Sequence, residues 1–108
     1  AQDSQTLHGD GISAVIAEQG AELVSLQDGR GFEFLWQAGP EWRRHSPVLF
    51  PIVGRLTGDR LRHRGQTYPM TQHGFARDKP FTWEERGPRS CTLVLTDDAD
   101  TRAHYPFA

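Results

Sequence analysis

One eight-residue stretch, Thr71 to Asp78 (TQHGFARD), carries more polar chemistry than a turn requires. Its histidine, His73, stands directly before Gly74, and glycine permits unusual backbone angles or the close approach of a ligand. His73 is therefore predicted to be either a loop residue whose imidazole caps a backbone group or a neutral hydrogen-bonding group at a pocket mouth. The neighbouring Arg77 and Asp78 have charges that can pair with each other.

The second candidate is Arg55, which follows Gly54 directly after the apolar run at residues 48–53. An arginine at the point where core meets loop must be satisfied by a carboxylate, by carbonyl groups or by a ligand. Arg55 is therefore predicted either to form a buried structural ion pair or to contact a ligand.

The other polar side chains do not form a recognisable metal or catalytic pattern. None of the five histidines has another histidine at i+2 or i+4, nor a cysteine or carboxylate at metal-ligand spacing, which disfavours a metal site. Three of them, His8, His45 and His104, have polar neighbours and are expected at the surface. There is no Ser-His-Asp order and no glycine-rich phosphate loop, and no spacing of carboxylates defines an acid/base pair.

The composition is that of one small domain rich in turns. The chain has 108 residues, of which 36% are apolar, with 11 glycines, 7 prolines and a net charge of −2. It has no basic stripe with interleaved aromatic residues and no apolar run near the ~18 residues of a membrane span, so neither nucleic acid nor a membrane is expected as a partner. The single cysteine, Cys91, excludes an internal disulfide and is expected to be buried and inert, which fits the cytoplasm.

The elements that position the candidate residues are predicted to be short antiparallel strands. Runs at residues 12–17 and 21–26 are expected to form a hairpin, and a turn at residues 28–31 precedes a third strand at 32–36. Pro51 interrupts the run at 48–53, which is therefore expected to be an edge or interrupted strand. The later elements are expected to be two hairpins and one helical turn with an aspartate N-cap: 60–64 with 66–70, 81–85 with 90–96, and 97–102. These elements predict an all-β, antiparallel fold of the sandwich type.

Several motifs then occur in a fixed order along the chain. The longest are Pro47 to Leu56 (PVLFPIVGRL), His63-x-Gly65-x-x-Tyr68-Pro69-Met70, and Gln72 to Asp78 (QHGFARD). Shorter ones are Gly20-Ala-Glu-Leu-x-Ser-Leu26, Phe34-Leu-Trp36 and Thr101-Arg-x-x-Tyr-Pro-Phe107. Together they closely resemble the aldose 1-epimerase (mutarotase-like) family, in its shorter bacterial branch.

The resemblance implies a large antiparallel β-sandwich, the galactose mutarotase-like supersandwich, usually more than twice as long as this chain. Residues 1–108 are then expected to be the N-terminal part of a single larger domain. The implied activity is interconversion of the α- and β-anomers of a hexose by acid/base ring opening, with no cofactor and no metal.

The same resemblance implies roles for three residues of this chain. Arg55 matches the arginine that contacts the sugar, and His73 matches the first pocket histidine near the substrate ring. The catalytic histidine acid and glutamate base have no counterparts in residues 1–108, so this chain alone is expected to be inactive.

The histidine segment differs from that of galactose mutarotases and is similar to that of hexose-6-phosphate epimerases, where an arginine helps to bind phosphate. Arg77 is the implied counterpart, with pairing to Asp78 as its alternative. Two other functions therefore stay open: hexose-6-phosphate 1-epimerase and a non-catalytic carbohydrate-binding protein on the same fold.

Overall fold

The computed structural model describes residues 3–107, which begin with a three-stranded antiparallel sheet. Its strands are β1 (Ser4–Gly9), β2 (Ile12–Ala17) and β3 (Leu23–Asp28), in the spatial order β1-β2-β3. The sequence analysis did not anticipate β1. The signal for it was Asp10-Gly11, a dipeptide that favours a tight hairpin and that joins β1 to β2.

The hairpin of β2 and β3 is confirmed, although β3 lies two residues further along the chain than predicted. The turn takes up the difference, because Gly20 and Ala21 both have positive φ, at 72° and 48°. The backbone of Ala17 then donates to the carbonyl of Glu22 across this turn, at 2.8 Å.

The prediction of a strand at residues 32–36 is wrong beyond a single pairing of Glu33 with Gln27. The N–H of Phe34 donates to the carbonyl of Leu26 in β3, and the side chain of Glu33 adds to this contact: its carboxylate accepts from the backbone N–H groups of Leu26 and Leu35, at 2.8 and 3.1 Å. Side chains that bond to the backbone in this way compete with a β ladder.

The run at residues 48–53 is likewise not a regular strand, and it pairs with another segment at one position only, Phe50 with Gly74. Pro51 has no N–H to donate to a ladder, and the interruption predicted for this run is present.

Both later hairpins are confirmed. The first joins β4 (Arg60–His63) to β5 (Gln66–Pro69) through Arg64-Gly65, two residues that both have positive φ, as a two-residue hairpin turn requires. The second joins β6 (Thr82–Arg86) to β7 (Cys91–Val94). Cys91 is half-buried rather than fully buried.

The helical turn is also confirmed, as α1 (Ala99–His104). Asp98 is its N-cap and accepts from the backbone of Thr101, while the Thr101 hydroxyl accepts from the backbone of Asp98, which forms a capping box. Thr101 is buried beneath this cap. Among residues 3–107, no helix has both the length and the apolar character needed to cross a membrane.

Residues 72–81 connect the separate sheets. The N–H of Gly20 donates to the carbonyl of Lys79 at 2.7 Å, and the N–H of Phe81 donates to the carbonyl of Glu18 at 3.0 Å, so this segment is fastened to the turn between β2 and β3. Its first half is bonded to the apolar run at 48–53. The sequence motifs singled out above are therefore held against one another and against the first sheet.

The buried apolar core is small. Within the described part of the chain it consists of Ala17, Met70 and Ala76, while Phe50 and Val53 are 52% and 76% exposed. The radius of gyration is 16.3 Å, against about 13 Å for a compact domain of this length. The antiparallel β class is thus confirmed, in an extended arrangement of small sheets.

Candidate functional site

Backbone hydrogen bonds join the two sequence motifs. The N–H groups of Phe75 and Ala76 both donate to the carbonyl of Phe50, at 3.1 Å each. Further along, the N–H of His73 donates to the carbonyl of Gly54 at 2.7 Å. Residues 50–54 and 72–76 therefore form one connected pair of loops.

Gly74 is required at the centre of this pair. Its φ is +75°, and a Cβ at this position would collide with the carbonyl of Phe50 and the ring of Pro51. His73 also has positive φ, at 65°, which is uncommon for a residue with a side chain. The backbone angles of residues 73 and 74 thus turn the chain so that the two loops can approach.

The imidazole of His73 is fixed by the same contact. Its Nδ1 accepts a hydrogen bond from the N–H of Gly54 at 2.8 Å. In the neutral ring the proton must then lie on Nε2, which leaves Nε2–H as a donor. His73 therefore caps a backbone group, as one of its two predicted alternatives requires. It also lines a cleft of about 350 Å³, as the other requires.

Arg77 lies in the same cleft, together with Trp42 and Gln72. One end of its guanidinium donates to the carbonyl of Gln72 at 3.0 Å, while its Nε is buried without a hydrogen-bond partner among the described residues. The ion pair with Asp78, which was the alternative for Arg77, is not formed, and Asp78 pairs instead with Arg44 at 3.0 Å. Arg77 therefore lines the cleft without being neutralised by Asp78.

Gly20 fixes the backbone of Arg77 from behind. Its φ is +72°, and a Cβ on this residue would lie 2.6 Å from the carbonyl oxygen of Arg77. The turn between β2 and β3 thus packs directly on the single 3₁₀ turn Ala76–Asp78. The first sheet therefore fixes the position of the Arg77 backbone, from which the guanidinium extends.

A second cleft, of about 510 Å³, lies on the other side of Arg77 and Trp42, which line both. His45 lines it and is half-buried rather than at the surface as expected. Its Nδ1 is 3.7 Å from a carboxylate oxygen of Glu22, whose other oxygen accepts from the backbone of His45 at 3.3 Å. Arg43 and Arg44 also line this cleft, so cations outnumber anions there.

Trp42 and His45 are the site residues that the sequence analysis missed. They lie in Trp42-Arg-Arg-His45, a run bounded by Gly39-Pro40 and Pro47. An aromatic residue with three basic or imidazole side chains in one loop was the available signal, because loops that carry binding residues are commonly held by a rigid sheet.

Arg55 occupies a different position from the other two candidates. Its side chain is 66% exposed, and its Nε is 3.1 Å from Oδ1 of Asp59 without the alignment of a hydrogen bond. The predicted ion pair is therefore present but exposed. The side chain lines neither cleft, although Arg55 follows Gly54, the residue bonded to His73.

The arrangement offers neutral and cationic hydrogen-bond donors beside an aromatic ring. Within residues 3–107 no group of three or more histidine, cysteine, aspartate or glutamate side chains could hold a metal ion. Donors of this kind bind hydroxyl, carbonyl or anionic oxygens, and fixed guanidinium and imidazole groups orient a ligand before reaction.

Comparison with known proteins places this site in context. The family described as "Aldose 1-epimerase" matches residues 3–108. The chain is 39% identical over 94 residues to the plasmid protein LacX of Lactococcus lactis subsp. lactis, an alignment that covers 82% of this chain and 31% of LacX.

Two crystal structures share its fold over 97% of its length. One is a galactose mutarotase related enzyme from Lactobacillus acidophilus, with a TM-score of 0.94 and 46% identity, and 36% of that chain is covered. The other is a galactose mutarotase-like protein from Lactobacillus casei, with a TM-score of 0.92 and 37% identity, again with 36% covered. The chain spans about a third of the length of the relatives it matches. It belongs to the aldose 1-epimerase family.

Proposed function

We propose that the complete protein is an aldose 1-epimerase that interconverts the α- and β-anomers of a hexose, with residues 1–108 supplying part of the sugar pocket. The observation that carries the proposal is the pairing of His73 with Gly54. It leaves Nε2–H as a donor on a residue that lines the same cleft as Arg77. Family membership supports a sugar as the ligand.

The reaction needs only positioned acid/base groups. A base removes the proton of the C1 hydroxyl while an acid protonates the ring oxygen, so that the bond between C1 and the ring oxygen breaks and an aldehyde forms. Rotation about C1–C2 presents the other face of the aldehyde, and the reverse proton transfers close the ring. We assign the acid, a histidine, and the base, a glutamate, to parts of the protein outside this chain.

Within residues 1–108 we assign substrate binding to Arg55, His73 and Arg77. His73 donates from Nε2 on the ring-oxygen side, where charge changes during opening. Arg55 holds hydroxyl groups with its fork of donors, and its exposed side chain has the freedom to reach a bound ligand. We also propose a cytoplasmic location, which the single cysteine of the sequence supports.

The test is anomer interconversion by the complete protein. Freshly dissolved α-glucose and α-galactose are followed by polarimetry or saturation-transfer NMR. We expect the wild type to accelerate mutarotation and His73→Ala and Arg55→Ala to lower kcat/KM by about 10-fold or more each, because each loses a charged or oriented donor. His8→Ala and Arg30→Ala are matched controls, since both residues are exposed and line neither cleft.

One observation favours the second candidate, a hexose-6-phosphate 1-epimerase. Arg77 is not neutralised by Asp78, and Arg43 and Arg44 line the adjoining cleft. Glucose 6-phosphate is therefore assayed alongside the free sugars with Arg77→Ala. Selective loss of the phosphorylated substrate would support this candidate, while equal loss for both substrates would favour the free hexose. Sugar binding without acceleration by the wild type would instead identify a non-catalytic carbohydrate-binding protein.

A further inference from the structure

Trp42 is a half-exposed aromatic residue beside the polar groups of the site. Its exposed fraction is 50%, and it lines both the cleft that contains His73 and the larger cleft that contains His45. Arg77 is the other residue that this pair of clefts has in common. The two clefts therefore share one aromatic and one cationic residue.

The loop that carries Trp42 is held in place on both sides. On the N-terminal side, the side chain of Gln37 donates to the carbonyl of Val24 at 3.0 Å. On the C-terminal side, the hydroxyl of Ser46 donates to the carbonyl of Leu23 at 2.6 Å. Both anchors are in β3, so the loop is fixed to the sheet.

Trp36 holds the middle of the loop. Its indole N–H donates to the carbonyl of Trp42 at 2.6 Å, and its ring packs against Gly39. The N–H of Trp42 in turn donates to the carbonyl of Gly39 at 3.1 Å. The backbone of Trp42 is thus positioned by a second tryptophan, and Trp42 itself lines both clefts. Such preorganisation reduces the entropy lost on binding.

Other exposed aromatic side chains are placed differently. Phe32 and Phe34 contact each other edge to face, with ring centroids 5.0 Å apart, and line none of the clefts described above. Phe50 and Phe107 are both near Tyr105, in a separate apolar group. Phe107 also contacts the imidazole of His63, with ring centroids 4.9 Å apart, but Trp42 differs from all four phenylalanines in lining the clefts that contain His73, His45 and Arg77.

We propose that Trp42 is the stacking platform for the hexose ring and so determines which sugars bind. A pyranose ring with equatorial hydroxyls presents C–H groups on its faces and oxygens around its edge. Stacking the C–H face on the indole places the edge hydroxyls where Arg77 and His73 can donate to them, a mixture of apolar and polar contacts typical of small-molecule sites. This inference rests on the proposed function.

The test separates binding from chemistry in the complete protein. A platform contacts the ring similarly in the ground and transition states, so Trp42→Ala is expected to raise KM about 3- to 10-fold and to leave kcat within about twofold. Trp42→Phe, which keeps an aromatic face, is expected to restore most of the lost affinity. Phe32→Ala is the matched control, because it removes an exposed aromatic ring that lines neither cleft.

A second measurement does not depend on the folding of the alanine variant. The wild-type protein is labelled with 5-fluorotryptophan, its Trp42 signal is assigned with Trp42→Phe, and α-glucose is titrated while fluorine NMR is recorded. A glucose-dependent shift of the Trp42 signal supports the platform, provided that the signal of Trp83, a residue of β6 that lines neither cleft, is unchanged. No shift in a wild type that does bind or convert glucose overturns it and leaves the proposed function standing.

Two further outcomes also overturn the inference. If Trp42→Ala has an unchanged KM, Trp42 does not contribute to sugar binding. If Trp42→Ala loses stability and the wild-type Trp42 signal does not shift with glucose, Trp42 packs against protein rather than against sugar. If the wild type neither binds nor converts any of the sugars tested, the proposed function and the platform both fail. This last result is distinguished from the others by the wild-type assay alone.

Discussion

Glu33 shows how one side chain can accept backbone hydrogen bonds in a segment that was predicted to be a strand. Its carboxylate accepts from the backbone N–H groups of Leu26 and Leu35 and from the hydroxyl of Ser25. These hydrogen bonds, chiefly the one from the backbone of Leu26, lower the pKa of Glu33 from 4.5 to about 2. The segment after β3 is therefore held to the sheet by a charge.

The lowered pKa of Glu33 predicts how the stability of the protein changes at acid pH. Because the pKa of Glu33 is lower in the fold than in the unfolded chain, its contribution to the free energy of unfolding is complete above pH 4.5 and is lost as the pH falls towards 2. We expect Glu33→Gln to destabilise the protein at pH 6 and to differ progressively less from the wild type below pH 4. Urea unfolding at a series of pH values measures this.

The matched control for this experiment is Glu41→Gln, since Glu41 is exposed. It should change the free energy of unfolding little at any of these pH values. A Glu33→Gln variant whose deficit stayed constant from pH 6 to pH 2.5 would show that the carboxylate does not titrate with the lowered pKa.

At the site, the sequence could identify residue types but not their partners. The spacing of His73 and Gly74 pointed to an unusual backbone, which the positive φ of both residues confirms. The donor to the His73 ring, however, is the N–H of Gly54, a residue 19 positions away. No local pattern specifies such a contact, and for the same reason the pairing of Asp78 with Arg44 was not foreseen.

At the scale of elements, local turn chemistry predicted most of the hairpins. The turn at Arg64-Gly65 and the aspartate N-cap depend on residues within four positions of each other, so the hairpin was predicted to within one residue and the helix to within two. The run at 32–36 is irregular because its backbone bonds partly to the side chain of Glu33, whereas the interruption predicted at Pro51 is present in the run at 48–53. β1 was missed because its alternation is mostly polar.

Gly74 lets the backbones of the loops at 50–54 and 72–76 approach closely enough to hydrogen-bond, so its substitution tests how these elements are held together. We expect Gly74→Ala to lower the free energy of unfolding by about 2–4 kcal/mol, since the methyl group meets the carbonyl of Phe50 and the left-handed backbone disfavours alanine. Chemical denaturation of the complete protein measures this change. The same variant should also lose sugar affinity, because the pairing of His73 with Gly54 depends on this approach.

Gly29→Ala is the matched control for the steric argument. Gly29 lies in a turn where a Cβ would make only ordinary contact, 3.7 Å from the Cα of Gly11. It should therefore change stability by less than about 1 kcal/mol. If Gly74→Ala lowered the free energy of unfolding as little as Gly29→Ala, the two loops would have to be able to separate without a loss of stability.

At the scale of the whole molecule, the described residues form three small sheets around a core of very few buried side chains. The ordered motifs allowed the family to be identified from the sequence, and the relatives are about three times as long as the segment matched. Neither composition nor periodicity could show that the apolar face at residues 48–53 is exposed, because an apolar run reads the same whether it is covered or not.

This exposed face makes the last prediction. We expect residues 1–108 prepared alone to bind the dye ANS strongly and, by small-angle scattering extrapolated to zero concentration, to have a radius of gyration of about 16 Å or more rather than about 13 Å. Val53→Ser should reduce the dye signal, because Val53 is largely exposed, whereas Val15→Thr on the half-buried strand β2 should not. A radius of gyration near 13 Å, together with no ANS binding, would mean that the three sheets pack against one another without any further polypeptide.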